Sequence, residues 1–247
     1  MRICRSFCLL SMVTVTVFAC GRLIHAEVTI VTPNELDGVE GNTKTANFGS
    51  AFRGQLLVSA ADFANLPKSY RTIMGMAVRP DESNTFTDPV TGRARFVLST
   101  TTRDSLDPTF ANNLGADATE VFNDVLTWQT DDIGPGPGPR DFDFVVPFTT
   151  PFVYDPSQGN LVFDATFPNG FNHVGNWPVD EHRRNTGNIT AILGGAHSPN
   201  AFMSVDLVWP TQFTVVPEPS TIALLLTTLL PIGIYWRRRK RTYPRLP

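Results

Sequence analysis

Between Glu27 and Val216, hydrophobic and polar positions alternate over short stretches, and clusters of turn residues separate the stretches. Ala94, Phe96 and Leu98 make one apolar face, with Arg93, Arg95 and Ser99 on a more polar one; Leu161, Phe163 and Ala165 oppose Val162, Asp164 and Thr166 in the same way. A period of two belongs to a strand with one face buried. The pattern predicts strands over 52–58, 71–79, 93–102, 121–128, 142–148, 160–167, 189–193, 201–209 and 212–216. Asp88-Pro89-Val90-Thr91-Gly92, Asp155 to Asn160 and Pro168-Asn169-Gly170 supply turn chemistry between them. One stretch reads as helical: Ser59 is placed to cap a first turn at Ala60-Ala61-Asp62, and Pro67 ends it, so the segment is expected as a lid over one open end of the body. The run from Gly134 to Pro139 is too short for a triple helix and is expected as a stiff exposed loop. Many short strands and turns of this kind predict an all-β body, a single β-sandwich of jelly-roll-like type.

The two ends follow different patterns. Arg2 and Arg5 precede an apolar stretch from Phe7 to Ala19, and Ile24-His25-Ala26 offers a small residue at a cutting point, the anatomy of a signal peptide over residues 1–26. The mature chain then begins near Glu27. Val17-Phe18-Ala19-Cys20 is a degraded lipobox and makes Cys20 a competing site of lipidation. At the other end stand Pro217-Glu218-Pro219, an apolar run over 220–236, the cations Arg237, Arg238, Arg239, Lys240 and Arg241, and a short tail over 242–247. The run is 17 residues (236 − 220 + 1), at the lower edge of the roughly 17 to 25 that span a bilayer as a helix. Lipid offers backbone groups no partners, so the helix must pair its own. Five cations behind it stay on the cytoplasmic side and leave the body outside. Pro231 kinks or shortens the helix.

All three cysteines (Cys4, Cys8 and Cys20) fall in the leader, so a body starting at Glu27 has no disulfide. It holds 190 residues (216 − 27 + 1), a size that buries roughly 70 % of its unfolded surface and can fold on packing alone. Its 11 basic and 22 acidic residues give a net charge of −11 (11 − 22). Nucleic acid is a poor partner for such a surface, which lacks a basic stripe.

The order Pro-Glu-Pro, apolar segment, basic cluster resembles the PEP-CTERM sorting signal. The resemblance implies an exosortase-type enzyme that cuts near Pro217-Glu218-Pro219, and a transient membrane anchor oriented by residues 237–241. It also implies delivery to the cell envelope or extracellular matrix, in association with exopolysaccharide. The body is similar to ectodomains that accompany such tails, through Arg79-Pro80-Asp81-Glu82, Phe96-Val97-Leu98-Ser99-Thr100-Thr101, and Pro151-Phe152-Val153-Tyr154-Asp155-Pro156 leading to Gly159-Asn160-Leu161. That likeness implies no activity, and the expected role is structural or adhesive rather than enzymatic.

Candidate chemistry in the body is sparse. His173, Asp180, Glu181 and His182 could supply metal ligands from a long loop, or be solvated polar residues beside Trp177; their spacing matches no established ligand pattern. Asp131-Asp132, Asp141 with Asp143, and Asp155 could each bind calcium, although the EF-hand spacing is missing. No Gly-x-Ser-x-Gly elbow surrounds Ser50, and no cysteine is available as a nucleophile. A carbohydrate-binding module would use exposed Trp128, Trp177 or Tyr154 as sugar platforms. A secreted glycoside hydrolase would need two carboxylates facing each other across a cleft.

Overall fold

The computed structural model describes residues 27–45, 49–85, 87–133, 136–172 and 178–218. Among the described residues thirteen strands run in chain order: β1 (Val28–Thr32), β2 (Thr43–Thr45), β3 (Phe52–Val58), β4 (Tyr70–Val78), β5 (Val90–Thr101), β6 (Thr119–Trp128), β7 (Phe144–Val153), β8 (Asn160–Phe167), β9 (Val179–Arg183), β10 (Ala191–Gly194), β11 (Met203–Val205), β12 (Leu207–Val208) and β13 (Thr211–Pro217). They form a four-stranded sheet of order β1-β13-β4-β7, a six-stranded sheet of order β11-β10-β3-β8-β5-β6, and a small sheet of order β12-β9-β2. The body is all-β, and Glu27–Val216 forms one compact unit. Among the described residues no helix is long and apolar enough to cross a membrane. The signal segment 1–26, the apolar run 220–236 and the cations 237–241 lie outside the described residues.

The two larger sheets share one core, an arrangement consistent with a β-sandwich. Along β7, Phe144, Val146 and Phe148 turn inward while Val145 and Pro147 face out, which is the two-residue period made physical. From the six-stranded sheet, Ala94, Phe96, Leu98, Leu161, Phe163, Ala165 and Phe167 meet them. Aromatic rings lock the layers together. Trp128 of β6 stacks on Phe144 of β7 at 5.2 Å and on Phe171 at 5.1 Å, and Phe96 lies 5.2 Å from Phe163. Offset and tilted pairs at these separations add to what burial alone contributes. Such packing holds residues 27–216 together without a disulfide, since they contain no cysteine.

The predicted strands 52–58 and 160–167 match β3 and β8, and five others match within a few residues. Strand 142–148 extends as β7 through Pro147 and Pro151, which an edge strand tolerates because one row of its amides has no neighbour. Stretch 201–209 is divided: β11 joins the six-stranded sheet and β12 the small one. Strands β1, β2 and β9 were not expected. The predicted helix is a single 3₁₀ turn, Ala60–Phe63, and Ser59 caps it by accepting from the Ala61 amide. Phe63 drops from it into the core, 4.9 Å from Tyr154 and 5.8 Å from Phe213.

The face of β8 read as polar is buried. Val162 joins Leu57, Leu106, Phe110 and Ile192 in a second cluster. Asp164, fully enclosed, takes two bonds from Arg53 Nε and Nη2 and a third from Gln55 Nε2 at 2.6 Å. Gln55 Oε1 in turn accepts from Asn113, on the loop between β5 and β6. That loop covers the outer side of the sheet, so β8 is enclosed on both faces, as the middle strand of a covered sheet must be. The expected exposed loop over 134–139 also has a packed end, because the Gly138 amide donates to Glu82 Oε2 and Arg140 to the Gly136 carbonyl.

Replacing Phe96 by Ala removes a ring from the centre of this core and is expected to cost about 3 to 5 kcal/mol in chemical denaturation. Val153→Ala, at a position 60 % exposed, should stay within about 0.5 kcal/mol of the unaltered protein.

Candidate functional site

Past the end of β4 the chain continues as Arg79-Pro80-Asp81-Glu82 alongside β9: the Asp180 amide donates to the Arg79 carbonyl at 3.1 Å and the Asp81 amide to the Pro178 carbonyl at 3.1 Å. β2 pairs with the other side of β9, with Lys44 opposite Asp180 and Thr43 opposite Glu181. Carboxylates from three chain segments thereby converge. Oxygens of Glu40, Asp81 and Asp180 lie within 4.8 Å of one another.

Arg79 organises the cluster. It is 1 % exposed and pairs with Asp180, itself 0 % exposed, at 2.7 Å through Nη2 and 2.8 Å through Nε. Its remaining donors reach the Leu36 carbonyl at 3.3 Å and the Val39 carbonyl, and its guanidinium lies 5.3 Å from the Phe142 ring centre. The Gly41 amide donates to Asp180 Oδ1 at 3.0 Å. That approach needs glycine, since a Cβ on Gly41 would stand 2.0 Å from the Glu181 carbonyl oxygen and 2.2 Å from Asp180 Oδ1. Burial pushes the Asp180 carboxyl upward against the opposing pull of Arg79.

The other carboxylates have fewer partners. Asp81 Oδ1 accepts from the Ser83 amide at 2.9 Å and from its hydroxyl, a local turn of the kind aspartate favours, and Lys44 lies 3.9 Å away. Glu40 Oε1 accepts from the Glu82 amide at 2.9 Å, while Oε2 is buried with no hydrogen-bond partner among the described residues. Burial, reinforced by nearby Asp180 and Asp81, raises the Glu40 carboxyl to about 7. On β9, Glu181 is 5 % exposed and accepts from Trp209 Nε1 at 2.8 Å. Burial raises it to about 7 as well, the Trp209 bond only partly offsetting that.

The grouping of His173, Asp180, Glu181 and His182 as solvated loop residues is therefore corrected. Asp180 and Glu181 are buried strand residues that turn to different partners, Arg79 and Trp209, and His182 Nδ1 has no partner among the described residues. His173 and Trp177 lie outside the described residues. His197 is exposed.

Of the calcium candidates, Asp132, Asp143 and Asp155 hold loops, and Asp131 and Asp141 are exposed. Asp132 accepts from the Asp141 amide at 2.9 Å and lies 3.4 Å from Arg140, and Asp143 accepts from the Thr130 hydroxyl at 2.6 Å. Asp155 pairs with Arg71 at 2.6 Å, and its bonds from Ser157 and Arg71 hold the carboxyl below the usual range. The Glu40, Asp81 and Asp180 group fits calcium poorly too. That ion takes 6 to 8 oxygens, whereas three carboxylates meet here and Asp180 is committed to Arg79 and Gly41. Nor are Trp128 and Tyr154 exposed sugar platforms: Trp128 is 4 % exposed and Tyr154 2 % exposed, both within the core. Tyr154 donates to the Gly159 carbonyl at 2.7 Å and so ties β7 to the start of β8. Of the sorting residues, Pro217 closes β13 and Glu218 follows it, while Pro219 lies outside the described residues.

No family model, curated protein or solved structure compared with this chain matches it.

Arg79→Ala leaves the Asp180 charge buried without its partner and should cost about 3 to 5 kcal/mol, measured by urea unfolding. A second expectation concerns pH. Glu181 titrates at its ordinary 4.5 when unfolded and at about 7 when folded, so its stability contribution is whole below 4.5 and is lost as pH rises through 7. The loss is on the order of 3 kcal/mol. Glu40 acts in the same sense. Glu181→Gln should flatten the decline in unfolding free energy between pH 4.5 and 7; an unchanged slope would show that Glu181 is ionised in the native protein.

Proposed function

We propose that this chain is an exported structural or adhesive protein of the cell envelope or extracellular matrix, delivered by its C-terminal segment and associated with exopolysaccharide. The observation that carries this reading is the order Pro217-Glu218-Pro219, apolar run 220–236, cations 237–241, placed directly after the last strand of an all-β body. Such a run holds the chain at the membrane with its cations inside, and the proline-flanked Glu218 is the recognition element for an exosortase-type transpeptidase. In the transfer, the peptide bond cut near this motif gives up its acyl side to a nucleophile on the enzyme and then to an acceptor hydroxyl or amine. The tail departs in the first step with a new amino terminus that takes the proton of the enzyme's nucleophile, and the acceptor's proton restores that nucleophile in the second. Here the protein is substrate, not catalyst.

Two features of the body support a non-catalytic role. Its most concentrated carboxylates are bonded to Arg79, Gly41, Ser83 and Trp209 rather than facing one another across an open cleft. Its described candidate platforms Trp128 and Tyr154 are core side chains. The reading includes a sandwich with jelly-roll-like connectivity, no resident cofactor, and the processing enzyme and polysaccharide as partners.

Mass spectrometry of the protein's C-terminus tests this. Cells with the processing enzyme should yield a chain ending near Pro217 to Pro219, and cells without it, or carrying Glu218→Ala, a chain that still ends at Pro247. Intact tails in every case would reduce the segment to a permanent anchor.

A further inference from the structure

The last strand of the body is an interior one. β13 lies between β1 and β4, and its register with β1 runs from Thr32 opposite Thr211 to Val28 opposite Val215. The first and last strands thus run antiparallel, and the chain enters and leaves the body at the same end of one sheet. Val215 is 1 % exposed and belongs to the main core with Ile30 and Phe213. A single residue, Val216, separates it from Pro217.

A transpeptidase or protease commonly takes its substrate as an extended strand, through backbone bonds on both sides of the bond it cuts. On the upstream side of Glu218 that strand is already in use. Thr214 and Val215 sit opposite Thr29 and Val28, with β4 on the other side, and the Val215 side chain is in the core. We propose that β1 is a latch on the sorting junction: while Val28 is paired with Val215, the chain upstream of Glu218 cannot enter an enzyme groove, and processing waits for the outer end of the β1–β13 pair to open. This rests on the sorting role proposed above. β1 is suited to the part, being a five-residue edge strand whose outer half, Val28 and Thr29, is only partly covered. Short edge elements open locally at a free energy below that of global unfolding.

Two altered full-length chains separate the latch from the sorting role. In the first, Val28→Cys with Val215→Cys joins the strands. Directly opposed residues stand about 4.5 to 5.5 Å apart at Cα, inside the range a disulfide accepts, and the body has no other cysteine. In the second, six Gly-Ser residues are inserted between Val216 and Pro217, beyond the β1–β13 register that ends at Val215, which frees the junction and leaves that pairing in place. Pulse-chase in cells holding the processing enzyme, read from C-terminal masses, should show the oxidised double-cysteine chain cut about tenfold or more slowly, recovery on reduction, and the inserted chain cut about threefold or more quickly. Equal rates for all three chains would overturn the latch and leave the sorting role standing. A chain cut in none of its forms, insertion included, would sink the sorting role and the latch with it. Amide exchange on the full chain in detergent gives a readout independent of cutting. Amides 213–215 should exchange at least about a hundredfold slower than unstructured ones, and unprotected amides there would overturn the latch outright.

Discussion

The Arg79–Asp180 pair is the buried charged centre at which three parts of the chain meet. Arg79 follows β4 directly, Asp180 lies on β9, and the arginine's spare donors bind the Leu36 and Val39 carbonyls of the segment between β1 and β2. Removing two charges from water costs several kcal/mol each, and only a full set of partners offsets that. Here the set is nearly complete: two contacts to the carboxylate, two carbonyls and an aromatic face for the guanidinium, and the Gly41 amide for the opposite oxygen. The pair reinforces the attachment of the small sheet, which backbone bonds from Arg79 and Asp81 and the core residues Val179 and Leu207 also make, because breaking it strands a charge. The neighbouring carboxylates, Glu40 and Glu181, are tolerated in the same dehydrated region by keeping their protons to about pH 7.

Much of the fold was legible in the period-two pattern, because β3, β5, β7 and β8 alternate large apolar side chains with smaller or polar ones. What the pattern could not show was a second covered face. Asp164 reads as solvent-facing beside Phe163 and Ala165, yet it is enclosed, because Arg53, Gln55 and Asn113 supply its partners from elsewhere in the chain. Alternation reports chemical contrast between the two faces, not which face meets water. β9 was missed for the same reason. Val-Asp-Glu-His-Arg looks like a hydrated loop until the partners of Asp180 and Glu181, 101 and 28 residues away in sequence, are in place.

The candidate site was legible only in fragments. Arg79-Pro80-Asp81-Glu82 and Asp180-Glu181 could each be noticed, but nothing local ties one to the other, and Glu40 carries no signal apart from Gly41 beside it. Tyr154, Asp155 and Gly159 are similar: the segment stands out in sequence, and its reason is a tyrosine bonding back to the Gly159 carbonyl while Arg71 holds Asp155. Gly159 has φ +140, a conformation side chains rarely adopt, and a Cβ there would meet the Thr101 carbonyl oxygen at 2.2 Å. These residues set a corner of the fold, and that is what makes the segment conspicuous.

Strand order also constrains when this body can finish folding. Because β13 is inserted between β1 and β4, the four-stranded sheet lacks an interior strand until the chain has emerged as far as Val216, and Phe213 and Val215 leave a gap in the core until then. On the proposed sorting role, that is also when the apolar run enters the membrane and stops further export. Closure of the sandwich and arrest of the tail would therefore fall together, with no linker between them, since Pro217 is at once the last residue of β13 and the first of the motif. A body completed by the residues that precede its own cutting site draws the upstream side of that site into its sheet as it folds, whereas an unfinished chain leaves those residues unpaired.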